Sequence, residues 1–312
     1  MSKNQLLSII LPIHNEEENI EPLYERLAKV CQKNQINYEI IFVNDGSNDQ
    51  GLQRVLHLQK KDSRVKAIDF SRNFGHQIAI SAGMEFAKGA AVLVMDADLQ
   101  DPPEMIPKFV EKWKQGFDVV YAIRKNRKGS PLKRIMYKLY YRILNKLADL
   151  DIPLDSGDFR LFSRRAVDRI IQFGEKRRYL RGLSSLIGFD QIGIEYDRPQ
   201  RRAGKTKYSY RKLFNLAWEG VTALSIKPLR VATYLGVTVA FIAVAYMIRV
   251  FYMRLFTDTY IPGWSSLMTV LLLLGSVQLI CIGIIGEYIG RTAEEVRDRP
   301  LYIIRKIYEK ES

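Results

Sequence analysis

This chain is short of acid, cysteine and histidine. Against 48 lysines and arginines stand 34 aspartates and glutamates, a formal net charge of +14. Its two cysteines, Cys31 and Cys281, lie far apart, so neither a disulfide framework nor a cysteine zinc site is expected. The three histidines, His14, His57 and His76, form no close pair, which argues against a histidine zinc site. No internal repeat and no low-complexity segment organises the chain. Met1 to Gln5 is polar, and the short apolar run after it soon meets Pro12 and a cluster of acids. A signal peptide is therefore not expected, and the N-terminal part is expected to stay in the cytosol.

What is present is unevenly spread. Val231 to Tyr252 and Trp264 to Ile289 are nearly continuous apolar runs, each longer than the ~20 residues that cross a bilayer core. Two such runs joined by a short loop predict a membrane hairpin rather than buried core helices. Arg198, Arg201, Arg202, Lys205, Lys207, Arg211, Lys212, Lys227 and Arg230 precede the first run. Arg291, Arg297, Arg299, Arg305 and Lys306 follow the second. Cations on both flanks place both termini in the cytoplasm, in a multi-pass protein of the cell membrane. The expected division is a catalytic domain over 1–200, a basic loop and amphipathic helix over 201–230, a hairpin over 231–289 (231–252 and 264–289), and a cytosolic tail over 290–312. Gly275, Gly283, Gly286 and Gly290 would let membrane helices approach closely, so a homo-oligomer is expected.

The first ~120 residues alternate between two periodicities. Apolar strands are expected at 6–13, 38–44, 65–70, 90–96 and 117–123. Helices are expected over 16–30, from about Asp49, through Ile78, Ala82 and Phe86, and after Pro103. Strands this apolar are covered on both faces, so the pattern predicts an α/β layered, mostly parallel sheet. A polar cluster follows each strand: "PIHNEEE", "NDGSND", "SRNFGHQ", "DADLQDPP" and "RKNRKG". In a parallel sheet these loops share the carboxyl edge, where open α/β sheets bind ligands.

The fourth loop holds Asp96, Asp98 and Asp101 within six positions. Close carboxylates repel unless a cation or strong donors hold them. Asp96 and Asp98 offer hard oxygens to Mg²⁺ or Mn²⁺, Gln100 a carbonyl oxygen, and a substrate phosphate would complete such a site. A protein that only binds anions through its basic surface, lipid or nucleic acid, has no use for that pair, so nucleic acid is not an expected partner. In "SGDFRLFSRRA" (156–166), Gly157 permits close backbone approach and Asp158 stands beside Arg160. Asp158 reads either as a site residue or as a turn residue that caps a helix or pairs with Arg160. Residues 210–224 and 131–147 have amphipathic helical spacing with flanking cations, suited to a membrane interface.

Together "LPIHNEEENI", "VNDGSND", "FSRNFGHQ", "MDADLQDPPE", "SGDFRLF" and "RRAGKTKY" resemble the motifs of family 2 glycosyltransferases of the GT-A type. The polyprenyl-phosphate branch is the nearest, which includes bactoprenol glucosyltransferases and dolichol-phosphate mannosyltransferases. The resemblance runs from Leu7 to about Pro300, and the Q-x-x-R-W motif of processive synthases is absent. It implies a Rossmann-like GT-A domain that moves a sugar from a nucleotide sugar to a polyprenyl phosphate, undecaprenyl phosphate in bacteria, at the bilayer surface. UDP-glucose is the expected donor; GDP-mannose or a modified UDP-sugar is the alternative. It implies that Pro12, His14, Glu16 and Asp45 line the nucleotide with Asp96, and that Asp96, Asp98 and Gln100 hold the metal. Asp158, with Asp98, would serve the reacting centre. Arg124, Arg134, Arg201, Arg202, Lys205 and Lys207 would surround the lipid phosphate or a closing loop. The reaction would be a single displacement with inversion at the anomeric carbon. A phosphate acceptor is mostly dianionic at neutral pH, its second pKa being about 6, so an orienting role for Asp158 fits as well as that of a base.

Overall fold

The computed structural model describes residues 5–125, 156–176, 178–197, 227–256 and 263–309. They fall into two compact units, one containing the residues up to 197 together with 299–309, the other residues 227–298. The candidate amphipathic stretches 131–147 and 210–224 lie outside the described residues, as do Arg134, Arg201, Arg202, Lys205 and Lys207.

The five expected strands form as β1 (Leu7–Ile13), β2 (Tyr38–Asn44), β3 (Val65–Phe70), β4 (Ala91–Val94) and β5 (Val119–Arg124). Between them run α1 (Glu17–Lys33), α2 (Gly51–Lys61), α3 (His76–Phe86) and α4 (Ile106–Lys114), the last entered through a 3₁₀ turn at Pro103–Met105. Proline suits such an entry because its missing N–H is one the helix start leaves unbonded. Then follow β6 (Ser156–Ser163), α5 (Arg164–Gln172), α6 (Leu180–Leu186) and β7 (Gln191–Tyr196). After the long helices α7 (Lys227–Phe256) and α8 (Trp264–Val296), the chain returns as β8 (Ile304–Tyr308).

All eight strands join one sheet, in the order β7-β5-β6-β4-β1-β2-β3-β8. The pairs β1–β2, β1–β4, β2–β3 and β5–β7 are parallel, whereas β6 runs against both β4 and β5 and β8 runs against β3. Because β6 opposes both neighbours, β4 and β5 point the same way. The loops after β1 to β5 therefore do share one edge. The two reversed strands make the sheet mixed, with a parallel centre.

Alternation within the strands sorts the core into two layers. Leu7, Ile9, Leu11 and Ile13 of β1 pack with α1, α2 and α4, while Ile10 packs with α3 and α5 on the other face. Both faces are covered, which is why β1 and β2 read as unbroken apolar runs. Gly83 lets α3 lie close: a Cβ there would stand 2.4 Å from Cγ2 of Ile10.

Helices α7 and α8 contain apolar windows at Ala232–Arg249 and Leu273–Val296, long enough to cross a membrane. Their apolar side chains face outward, with Phe241 78% and Leu279 71% exposed. A core helix of a soluble domain would bury such residues, so this surface calls for lipid.

Candidate active site

The D-x-D loop is built on a strained turn. Leu99 has φ +61° yet is buried in the core, a conformation costing of order 1–3 kcal/mol that the packing must hold. The turn lets the Asp98 carboxylate accept the backbone N–H of Gln100 at 3.1 Å. Asp101, the third acid, has a different task. It is 1% exposed, accepts the Tyr196 hydroxyl at 3.0 Å and the Asp96 N–H at 3.3 Å, and so fastens the loop to β7. Of the acids at the end of β4, Asp101 thus holds the loop, while Asp96 lies beside His76 and Asp98 accepts the Gln100 N–H.

His76, the first residue of α3, joins two of the expected site residues. Its Nε2 lies 3.3 Å from Oδ1 of Asp96 and 3.7 Å from Oδ2 of Asp158. Burial alone would lower its pKa, but the hydrogen bond and charge of Asp96, then the charge of Asp158, carry it up to about 9. The His76 ring is therefore held between Asp96 of the D-x-D and Asp158. Asp158, on β6, is also gripped by Arg181 from α6, through Nε at 2.9 Å and Nη2 at 3.2 Å, and by the Gln77 amide at 3.1 Å. The Gln77 carbonyl accepts Leu180 N–H at 3.1 Å and so ties α3 to the start of α6. Burial pushes Asp158 up, yet the charge and hydrogen bonds of Arg181, with His76 and Arg160 behind them, hold its carboxyl well below the usual carboxylate range. Asp158 is thus neither a helix cap nor an ordinary turn residue. Its two-pronged partner is Arg181, while Arg160 reaches Gly157 O at 3.0 Å and Ser184 Oγ at 2.5 Å.

Arg124 ends β5 and passes over Gly157, where a Cβ would meet its Nη2 at 2.9 Å. The expected close approach at Gly157 is therefore made by a guanidinium. Gly157→Ala should fold, because the obstructed atom ends a flexible side chain, but it should displace Arg124. If Arg124 meets the acceptor, steady-state kinetics should show the acceptor KM rising about tenfold, the size of a lost charge-assisted hydrogen bond, with the donor KM unchanged.

Across the edge, the loops after β1, β2 and β3 interlock. His14 Nδ1 lies 2.9 Å from the Asp45 carbonyl and 3.2 Å from Asn73 Nδ2. Asn15 N–H donates to Ser47 Oγ at 3.2 Å, and Asn48 N–H donates to Asn15 Oδ1 at 2.9 Å. Gly46 is required here: its φ is +62°, and a Cβ would meet the backbone of Arg72 and Asn73 at 2.5 Å. Asp45, 3% exposed, accepts Phe74 N–H at 2.7 Å and Gly75 N–H at 3.0 Å, which fixes the start of α3. Pro12 is buried in β1, and Glu16 accepts Asn19 Nδ2 at 2.5 Å.

The structure therefore brings Asp96, Asp98, Asp158 and Arg124 to one region of the edge and Pro12, His14 and Asp45 to another. His76, Gln77 and Arg181 were not singled out by the sequence reading. Only "SRNFGHQ" signalled the first two, as a polar loop. Among the described residues, no group of three His, Cys, Asp or Glu could hold a metal. Asp96 and Asp98 are the two carboxylates of the D-x-D, and His76 lies against the first of them.

A parallel-centred sheet with a D-x-D at its carboxyl edge, in a chain with two membrane-length helices, is the outline expected of a membrane-anchored GT-A glycosyltransferase. Glycosyl transferase family 2 matches residues 8–171, and the GtrB C-terminal hairpin matches 227–292. The uncharacterized glycosyltransferase YkcC of Bacillus subtilis is 48% identical, over 99% of this chain and 96% of its own. The SfII prophage-derived bactoprenol glucosyl transferase of Shigella flexneri is 41% identical, over 96% of this chain and 97% of its own. Glucosyl-3-phosphoglycerate synthase of Mycobacterium tuberculosis, solved with Mn²⁺, UDP and phosphoglyceric acid, shares the fold: TM-score 0.51, 16% identity, 70% of this chain and 77% of that one. This chain belongs to glycosyl transferase family 2 and is a glycosyltransferase related to the bactoprenol glucosyltransferases.

Proposed function

We propose that the protein transfers glucose from UDP-glucose to the phosphate of a polyprenyl phosphate, undecaprenyl phosphate in a bacterium, at the cytoplasmic face of the membrane. The observation that carries this reading is the His76 bridge. It joins the D-x-D end of β4 to Asp158 on β6 at the sheet's carboxyl edge, in a chain that also carries two membrane-length helices. Relatives named as bactoprenol glucosyl transferases support the lipid acceptor and the glucose.

In the proposed reaction an acceptor phosphate oxygen attacks the anomeric carbon. The bond from that carbon to the donor diphosphate breaks, and its electron pair leaves with the nucleoside diphosphate. The configuration inverts. Asp96 and Asp98, with Gln100 beside them, would hold Mg²⁺ or Mn²⁺. That ion would supply Lewis-acid stabilisation to the leaving diphosphate. Pro12, His14, Glu16 and Asp45 belong to the nucleotide side of the edge. Arg124 and Arg181 counter the cost of bringing a dianion toward a diphosphate, and the assignment extends to Arg134, Arg201, Arg202, Lys205 and Lys207. Asp158 holds Arg181 and His76 in place. It is a poor base, because its partners all favour the ionised form.

Both termini are assigned to the cytoplasmic side. Membership of β8 in the same sheet as β3 supports this, since two crossings return the chain to the side it left. The basic flanks supply the direction. Incubation of the purified protein with polyprenyl phosphate and a panel of nucleotide sugars, with identification of the lipid product, tests the reading. Glucosyl phosphopolyprenol formed from UDP-glucose in preference to GDP-mannose is expected. Product from GDP-mannose alone would overturn the donor, and no lipid product from any donor would overturn the acceptor.

A further inference from the structure

Strand β8, which follows the membrane helices, carries a β-bulge against β3. Ala67, Ile68 and Asp69 pair in register with Tyr308, Ile307 and Lys306, but Phe70 pairs with Ile304. Arg305 is thus the extra residue. Bulges re-aim side chains, and this one turns the arginine toward the sheet's functional edge. Its Nη1 lies 3.4 Å from Oδ2 of Asp69, and its Nη2 donates to Ser71 O at 2.9 Å. The Ser71 N–H donates to Ile303 O at 3.0 Å, so both backbone groups of Ser71, the first residue after β3, are held by the tail.

Asp69 is a buried carboxylate, 1% exposed, and Arg305 is the cation beside it. Its other oxygen accepts Asn44 Nδ2 at 2.7 Å. The Asn44 carbonyl then accepts Ser47 N–H at 3.2 Å, and Ser47 Oγ accepts Asn15 N–H at 3.2 Å. One hydrogen-bonded line thus runs from the C-terminal strand through the ends of β3 and β2 into the loops after β2 and β1. The Asn44 amide has a fixed sense along this line. Its NH₂ must face Asp69 for its carbonyl to face Ser47.

We infer that Arg305 is a positioning residue for the donor nucleotide, acting through Asp69 and Asn44 on the loops that carry Asn15 and Ser47. The inference rests on the reading of those loops as the nucleotide side of the site. It makes donor binding depend on a residue from beyond the membrane hairpin, more than 230 residues from the loops it orders.

The test measures binding of a nucleoside diphosphate with Mn²⁺ to the full-length protein in detergent by calorimetry, well below the unfolding temperature. UDP and GDP are both used as probes. Arg305→Ala should weaken binding about tenfold, within the range of coupling in one hydrogen-bond network. Arg305→Lys should recover part of the loss, because an ammonium can still answer Asp69. Lys306→Ala, the neighbouring exposed cation, should change nothing. In an Asp69→Asn background, Arg305→Ala should add no further loss, since the charge it answers is gone; this pair also serves if Arg305→Ala alone fails to fold. Unchanged affinity in folded Arg305→Ala, with only a lower melting temperature, would overturn the inference and leave Arg305 a structural residue. Equal losses from Arg305→Ala with and without Asp69 would overturn the route through Asp69. Failure of the wild type to bind either nucleotide would overturn the nucleotide reading, and the inference with it.

Discussion

Asp98→Asn should lower sugar transfer by about 10³-fold, the scale of losing a group that stabilises leaving-group charge, and should weaken Mn²⁺-dependent binding of the nucleoside diphosphate. The substitution separates chemistry from folding. In the structure one Asp98 oxygen accepts the Gln100 N–H, and an asparagine carbonyl can do the same, so the strained turn at Leu99 survives. What disappears is a full negative charge and a hard donor. Initial rates across a Mn²⁺ titration, with nucleotide binding measured with and without chelator, check the expectation. A mutant that keeps full activity in chelator-treated buffer would show that the D-x-D pair does not serve a metal.

The second large effect belongs to Asp158. Asp158→Asn should reduce turnover by about 10²–10³-fold, because Arg181 and His76 lose the charge that orients them. The pH–rate profile of the wild type should nonetheless not report Asp158. With its folded pKa depressed, this group is ionised on both sides of neutrality. Its contribution to stability is present above the ordinary aspartate value and is lost only as pH falls through the lower folded one. The rate should rise instead with the second ionisation of the acceptor phosphate, near pH ~6. Repeating the profile with an acceptor analogue of lower second pKa should move the inflection down with it. An inflection that stays fixed would return Asp158 to the role of general base.

The legible part of the fold was the part whose physics is local. Strands β1 to β4 are apolar runs bounded by turn residues, and helices α1 to α3 show their buried stripes in the spacing of side chains such as Ile20, Leu23 and Leu27. β8 escaped the sequence reading, which assigned residues 290–312 to a tail. "IRKIY" is five residues with two adjacent cations, and its partner is a strand far away in the chain. The site divides in the same way. Asp96 and Asp98 stood out as acids clustered at a strand end of a basic chain, whereas Asp158 read equally as a turn residue and was marked only by the family resemblance. Arg181 is one arginine among many, and only α6 placed opposite β6 sets it on Asp158. What the sequence could not show is the structural work of two further acids: Asp45 accepts the N–H groups of Phe74 and Gly75, and Asp101 accepts the Tyr196 hydroxyl.

The place of β8 in the chain also sets an order of events during synthesis. Its contact with β3 joins Asp69 to Arg305 across 236 positions, and both membrane helices lie between. Until those helices and the last strand have been made, the outer edge of β3 lacks its partner β8, the kind of edge that invites pairing with other chains. It can be closed only after the last strand has emerged. Non-local pairing of this kind is slow to form, so the sheet is completed late. A chain that stalls before the membrane remains one strand short.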